Sequence, residues 1–353
     1  SKDGVTILPY DSIYEYVKTF EKDMTVLLCK KKANCRLVNS IPKEVTILDE
    51  ANLTFLPKSI KNPVEVENER IAHIKDGVAL TKFICWLKKN VGKIPITELS
   101  AGEKLYSFRA QQENFIDNSF DPIISYGIHA AINHYSATPE TDIAIEPGNF
   151  LLADTGGHYY EGTTDTTRTI VMGSVNDEQK KYFTAVLRGM LNLGNAKFRY
   201  GCTGVNLDYL ARGPLWEMGQ DFNHGTGHGV GYLLNVHEGP NSFRWRIIQG
   251  DNAVLEEGMI TSDEPGYYVE NQYGIRHENL LVCKKAEKTS FGQFMCFEHL
   301  TMVPFDLDAV VPELMTMQER ALLNSYHAQV YKNISPYLEE EEKEWLKEAT
   351  REI

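Results

Sequence analysis

An α+β fold is predicted by two observations. Short β-like runs cluster at residues 120–173 and again at 232–282, and helical patterns flank these clusters instead of alternating with single strands. A regular strand–helix alternation would have indicated a parallel sheet. Residues 1–62 read as short alternating pieces, with strands at 26–28 and 44–48 and a helix at 12–20, closing in the turn Lys61-Asn62-Pro63. From 64 to 91, Ile71, Ile74, Val78, Phe83, Ile84 and Leu87 recur at spacings that suit one long amphipathic helix. A second helix is predicted to open with the capping box Ser100-Ala101-Gly102-Glu103. Strands follow at 150–153 and 167–172, helices at 178–196 and 207–218, strands at 232–235, 259–261 and 280–282, and two polar helices at 312–332 and 338–352. The acidic run at 339–342 is read as a solvated helix face.

Composition removes several function classes. The 353 residues hold 36 Lys+Arg against 49 Asp+Glu, a formal charge of −13, which argues against nucleic-acid partners because phosphate recognition needs clustered cations. No apolar run approaches the roughly 18 residues of a membrane span, so a soluble protein without a membrane partner is expected. The six cysteines are scattered without a C-x-x-C pair, which favours a reducing compartment.

Five residues stand out because each lies in a glycine-rich or turn-rich context from which a side chain can be aimed into a cleft. Asp154 and Asp165 lie eleven residues apart in Asp154-Thr155-Gly156 and Gly162-Thr163-Thr164-Asp165-Thr166-Thr167-Arg168, a spacing suited to adjacent strands. Facing carboxylates repel unless cations lie between them. His228 sits in His224-Gly225-Thr226-Gly227-His228-Gly229-Val230-Gly231, Glu264 in Asp263-Glu264-Pro265-Gly266, and Glu278 in Gly274-Ile275-Arg276-His277-Glu278. Singly, an Asp-x-Gly is usually a turn and a Glu-Pro-Gly usually a loop. Together, four carboxylates and an imidazole form an oxygen-rich donor set for two divalent cations, whose charge they balance. Two ions about 3.5–4 Å apart serve hydrolytic chemistry.

In their order and surroundings, these segments, with Asn235-Val236-His237-Glu238-Gly239-Pro240, Asp263-Glu264-Pro265-Gly266-Tyr267-Tyr268 and Phe297-Glu298-His299-Leu300-Thr301-Met302-Val303-Pro304, resemble the pita-bread metallopeptidases. Within that group the chain is most similar to aminopeptidase P, the Xaa-Pro aminopeptidases, of the eukaryotic cytosolic type, over about residues 64–350. The resemblance implies a pita-bread (creatinase/aminopeptidase) catalytic domain over 63–353, preceded at 1–62 by the C-terminal part of a creatinase-like α/β domain. The chain is accordingly expected to begin inside a longer protein.

The resemblance also implies roles. Asp154, Asp165, His228, Glu264 and Glu278 match metal ligands, Asp165 and Glu278 bridging two ions, most simply Mn²⁺ with Zn²⁺ or Co²⁺ as alternatives. A metal-bridging hydroxide would attack the Xaa-Pro carbonyl, with Glu264 relaying the proton. His134 and His237 match histidines beside the scissile bond, and His224, Tyr268 and Arg276 match the lining of a proline-ring pocket. The implied activity is removal of the N-terminal residue from peptides with proline second, by a cytoplasmic homodimer. The rivals are prolidase, more distantly methionine aminopeptidase, and a pita-bread binding module without catalysis. His73 and His327 are read as surface or core residues, His277 as pointing to the opposite face of its strand, and His129 and His158 as departures from the family pattern.

Overall fold

A computed structural model describes residues 4–248 and 250–353, and the chain divides into two compact units after Lys58. In the first, the strands Thr25–Leu28 and Thr46–Asp49 pair in parallel, and the short helices Ile13–Val17 and Cys35–Ser40 bring Val17, Ile41 and Val45 into a small core. The second strand starts two residues later than its pattern suggests, because Val45 turns into that core instead of joining the ladder.

In the second unit the helix Pro63–Asn90 runs about 42 Å. Asn62 caps it, accepting from the Val64 and Glu65 amides, while the Glu65 carboxylate accepts from the Asn62 amide and Pro63 occupies the first helical position. The capping box expected at 100–103 is displaced. The next helix is Glu98–Arg109, capped by Thr97, whose partner three residues on is Ser100. Thr97 bridges Ala144 in extended conformation, so the helix begins earlier than local sequence indicates.

A three-stranded antiparallel sheet, Ile123–Tyr126, Asn149–Thr155 and Thr166–Met172, places Asp154 opposite both Ile123 and Thr167. Every residue of the Thr166–Met172 strand is buried, which requires packing on both faces. A second antiparallel sheet joins Ile260–Asp263, Asn279–Thr289, Gly292–His299 and Lys197–Arg199 in that order. Across the main core lies the helix Asp177–Gly194, which contributes Phe183, Val186, Leu187, Met190 and Leu191. The helix predicted at 207–218 is two, Gly204–Leu207 and Tyr209–Trp216, joined at the buried Asp208, whose carboxylate binds Arg212 Nε and Thr226 Oγ1. The strand predicted at 232–235 does not form, because Leu234 and Asn235 adopt left-handed backbone with φ of 63° and 56°. Of the predicted C-terminal helices, the first begins only at Met317 (Met317–Ile334) and the second is Glu340–Ala349. Among the described residues no helix is long and apolar enough to cross a membrane.

The two central helices approach closely at Gly189, where a Cβ would lie 2.1 Å from the Ala211 carbonyl oxygen. Gly189→Ala is therefore expected to force the Tyr209–Trp216 helix outward and to cost about 1–3 kcal/mol of stability in equilibrium denaturation.

Candidate metal centre

Backbone pairing aims each donor. Asp154 precedes the last residue of its strand and Asp165 immediately precedes the neighbouring one, so the register Thr155↔Thr166 brings both carboxylates to one sheet end. His228 lies in the two-residue strand Gly227–His228, paired with Ser242–Phe243. Glycine is required beside it, because a Cβ on Gly227 would lie 1.8 Å from the Ser262 carbonyl oxygen. Glu264 follows the strand Ile260–Asp263, its amide donating to Thr226 O at 2.8 Å. The Glu278 amide donates to Thr167 O at 3.1 Å, which docks its turn on the Asp165 strand.

The donors converge in three overlapping groups whose ligand atoms lie within 4.8 Å of one another: Asp154, Asp165 and Glu278; His228, Glu264 and Glu278; and Asp165, His228 and His237. They line a cleft of about 560 Å³ together with Phe120, Asn133, His134, His224 and Arg276. His228 Nδ1 faces the Gly229 carbonyl at 3.0 Å and donates there, so Nε2 is the nitrogen that faces Asp165 Oδ2 at 3.4 Å and Glu264 Oε1 at 3.5 Å and that would turn a lone pair to a cation in place of its proton. Those separations suit donors that share an ion about 2.0–2.2 Å from each.

Charge makes the same point. Burial pushes the carboxyls of Asp165 and Glu278 upward, Glu278 well above the usual range, and holds Glu264 up at about 7. Neighbouring carboxylates add to each shift. Burial works against a charged His228, yet its hydrogen bond to Asp165 and the Glu264 charge lift it to about 9. Among the described residues, Arg276 is the guanidinium that pairs with these carboxylates, and it is already spent on Asp154 at 2.5 Å. Four clustered carboxylates and one imidazole therefore lack countercharge that divalent cations would supply, and the donor set fits two of them.

Neighbouring side chains fix the donors. Thr167 Oγ1 donates to Glu278 Oε2 at 2.7 Å and Ser262 Oγ to Glu264 Oε1 at 3.0 Å. Neither Thr167 nor Ser262 was singled out from sequence, although Thr167 sits two residues beyond Asp165, where strand alternation places side chains on the same face. Arg276 Nη1 donates to the Tyr268 hydroxyl at 2.7 Å, and that hydroxyl lies 3.0 Å from His224 Nε2. Because burial keeps His224 neutral, its proton lost down to about pH 3, and its Nδ1 meets Gly225 O at 2.7 Å, Tyr268 donates onward to Nε2. An Arg276–Tyr268–His224 chain thus walls one side of the cleft. His134 and His237 are exposed at the cleft, and the His237 ring stands perpendicular to His228 at 4.2 Å. Sequence reading missed that His237 reaches the donors Asp165 and His228.

The other histidines lie in none of the three donor groups. His277 is buried against Phe183 and Phe305, His73 meets Glu69 O at 2.7 Å, His327 accepts from the Phe305 amide, and His158 meets Thr163. His129 binds Glu98.

Sequence models of known families cover most of the chain. Metallopeptidase family M24 matches residues 67–285, the C-terminal region of peptidase_M24 matches 293–353, and the creatinase/prolidase N-terminal domain matches 1–65. A probable Xaa-Pro aminopeptidase P of Paracoccidioides brasiliensis is 38% identical over 99% of this chain and 60% of its own length. Aminopeptidase P1 of Arabidopsis thaliana is 38% identical over 90% of this chain and 53% of its own. Among solved structures, the X-prolyl aminopeptidase of Caenorhabditis elegans, described as a cytosolic enzyme with a di-nuclear active site, superposes with a TM-score of 0.92 at 35% identity, over all of this chain and 59% of that one. An Xaa-Pro dipeptidase from Bacillus anthracis gives 0.67 at 26% identity, over 84% of this chain and 78% of that one. The chain spans about three fifths of the length of the curated relatives it matches most fully.

Proposed function

This chain belongs to metallopeptidase family M24, with the pita-bread α+β fold, and from that premise we propose that it removes the N-terminal residue from peptides whose second residue is proline. One observation carries the reading: four carboxylates and His228 converge at the floor of a cleft walled by the Arg276–Tyr268–His224 chain. Asp154, Asp165, His228, Glu264 and Glu278 would hold two divalent cations. Asp165, His228 and Glu278 each fall within two of the donor groups, and the family resemblance gives the shared role to the carboxylates Asp165 and Glu278. Bound there, the cations would supply Lewis acidity toward a peptide carbonyl and lower the pKa of water near neutrality.

The chain's own side chains do the rest. Asp154, whose Oδ2 accepts from Arg276 Nη2 at 2.5 Å, would meet a substrate α-amino group beside one cation, an anchor that would restrict cleavage to the first residue. Glu264, near neutrality in its proton affinity, accepts a proton at its carboxylate and returns it to the departing proline nitrogen. His237, whose partial desolvation at the cleft wall lowers its pKa to about 4, is neutral near pH 7 and donates from a ring nitrogen toward the developing oxyanion, and His134 faces the same bond from the cleft mouth. A proline ring placed against His224 and Tyr268 brings no amide N–H that would need an acceptor in that wall. Mn²⁺ suits the carboxylate-rich set, with Zn²⁺ or Co²⁺ as alternatives. A cytoplasmic homodimer is proposed with this activity, the location supported by the Caenorhabditis elegans relative and the dimer by the family resemblance alone.

The test is product analysis by mass spectrometry on Mn²⁺-loaded and chelated protein given an Xaa-Pro dipeptide, an Xaa-Pro-Pro tripeptide and a Met-Ala peptide. Release of only the first residue from the tripeptide, reduced at least 100-fold by chelation and restored by Mn²⁺, is the expected result. Cleavage of the dipeptide alone would make the protein a prolidase. Stoichiometric metal with no product from any of the three would leave a non-catalytic binding module.

A further inference from the structure

His134 reaches the cleft from a loop, residues 127–143, that needs something outside the cleft to hold it in place. The start of the helix Glu98–Arg109 supplies it. At one end of the loop, the Glu98 carboxylate, 1% exposed, accepts from the Tyr126 amide at 2.7 Å and from His129 Nδ1 at 3.0 Å to each oxygen. At the other end, the Glu98 amide donates to Ile143 O at 3.2 Å and the Leu99 amide to Asp142 Oδ1 at 3.0 Å. In the middle, the His129 ring stacks on Tyr135 with centroids 4.1 Å apart, and the Tyr135 hydroxyl reaches Glu98 Oε2 at 3.4 Å and Thr141 Oγ1 at 3.0 Å. Tyr135 is the residue after His134, so the stack fixes the backbone from which that imidazole projects. Farther along, Gly274 lies against the Ala130 carbonyl so closely that a Cβ would come within 1.8 Å, which leaves the segment no room to slide inward.

We propose that Glu98, His129 and Tyr135 form a clamp that sets the position of His134 over the cleft, with His129 a positioning residue acting through its ring stack and its bond to Glu98. The clamp rests on the proposed activity for its catalytic consequence, but not for its effect on the loop. A displacement of about 1 Å at a reacting centre costs on the order of 100-fold in rate. Loosening only the stack is expected to cost less.

His129→Ala, His129→Asn, His134→Ala and the double variant His129→Ala with His134→Ala are compared in the Mn²⁺-loaded full chain on the Xaa-Pro-Pro tripeptide. His129→Ala is expected to lower kcat about tenfold with KM changed less than threefold. His129→Asn, whose side-chain amide can still donate to Glu98, is expected to recover at least half of that loss. In the His134→Ala background, His129→Ala is expected to add less than a twofold further loss, because the residue it positions is gone. An equal loss in both backgrounds, or no loss in either, would overturn the clamp. Hydrogen–deuterium exchange over residues 132–135 gives a readout that needs no turnover: faster exchange in His129→Ala, returned toward wild type in His129→Asn, supports the clamp. Unchanged exchange in both overturns it, even if the wild-type chain cleaves nothing and the proposed activity itself falls.

Discussion

Glu264→Gln is expected to lower kcat on the Xaa-Pro-Pro tripeptide by at least about 10³-fold, the upper part of the range for removing a general acid–base group. The substitution keeps the side chain's size and its acceptor toward Ser262 Oγ, 3.0 Å away, so local packing is preserved. It removes two properties of the carboxylate. One is its charge in the donor group with His228 and Glu278, which weakens retention of a cation. The other is a proton affinity that burial brings to about 7, suited to accepting and returning a proton within one turnover. The two losses separate experimentally. Metal content measured by mass spectrometry is expected to fall in Glu264→Gln and to recover in excess Mn²⁺, whereas kcat at saturating Mn²⁺ stays low. A variant that regained wild-type kcat with added metal would leave Glu264 a ligand and nothing more. Glu264→Asp, which keeps the charge on a shorter arm, is expected to bind metal and to fall between the two in rate.

That prediction begins from residues legible in the sequence, and the reasons for legibility are physical. Asp154, Asp165, His228, Glu264 and Glu278 stand out because each lies at or beside a strand end among turn residues and glycines, where backbone segments approach closely, as at Gly227 against Ser262 O. The long helix is legible because its cap, its first-turn proline and its apolar spacing agree. Failures arise where tertiary contacts overrule local preference. Thr97 displaces Ser100 as a cap because its backbone pairs with Ala144, and residues 232–235 leave the strand region because Leu234 and Asn235 turn left-handed beside the cleft loop. The bond of Thr167 to Glu278 spans 111 residues, which no local pattern encodes, whereas Ser262 lies only two residues before Glu264 and carries no motif that marks its hydroxyl. His129 is visible only as a departure from the family pattern, and its contact with Glu98 spans 31 residues.

Arg168 is the largest such omission, and the greatest expected loss of stability attaches to it. Its guanidinium, 1% exposed, donates to the carbonyls of Thr167 at 2.8 Å, Glu278 at 2.6 Å, Val303 at 2.8 Å and Pro304 at 3.2 Å, to Asn279 Oδ1 at 2.7 Å and to the Tyr326 hydroxyl at 2.9 Å, and it stacks 4.0 Å over Phe305. Among the described residues no carboxylate pairs with it directly. Its cost of burial is met by acceptors from four separate segments; Thr167 O also accepts from the Glu278 amide and Val303 O from the Tyr326 hydroxyl, so the guanidinium matters most to the Glu278 and Pro304 carbonyls and to Asn279 Oδ1. Arg168→Met retains the apolar stem but takes the donor from these buried acceptors, each costing about 1–3 kcal/mol when unsatisfied. A total loss above about 4 kcal/mol is expected, a size that marks the removal of a buried network. Arg168→Lys should recover little, since one ammonium cannot span a planar fork's set of acceptors. All four tryptophans, Trp86, Trp216, Trp245 and Trp345, lie in the 59–353 unit, so denaturant titration followed by tryptophan fluorescence reads that unit alone. A loss below about 1 kcal/mol in Arg168→Met would mean that water replaces the guanidinium at these carbonyls. Where the variant folds, its affinity for Mn²⁺ should also fall, because Arg168 holds the backbone of Thr167 and Glu278, and through them the donors Asp165 and Glu278, in register.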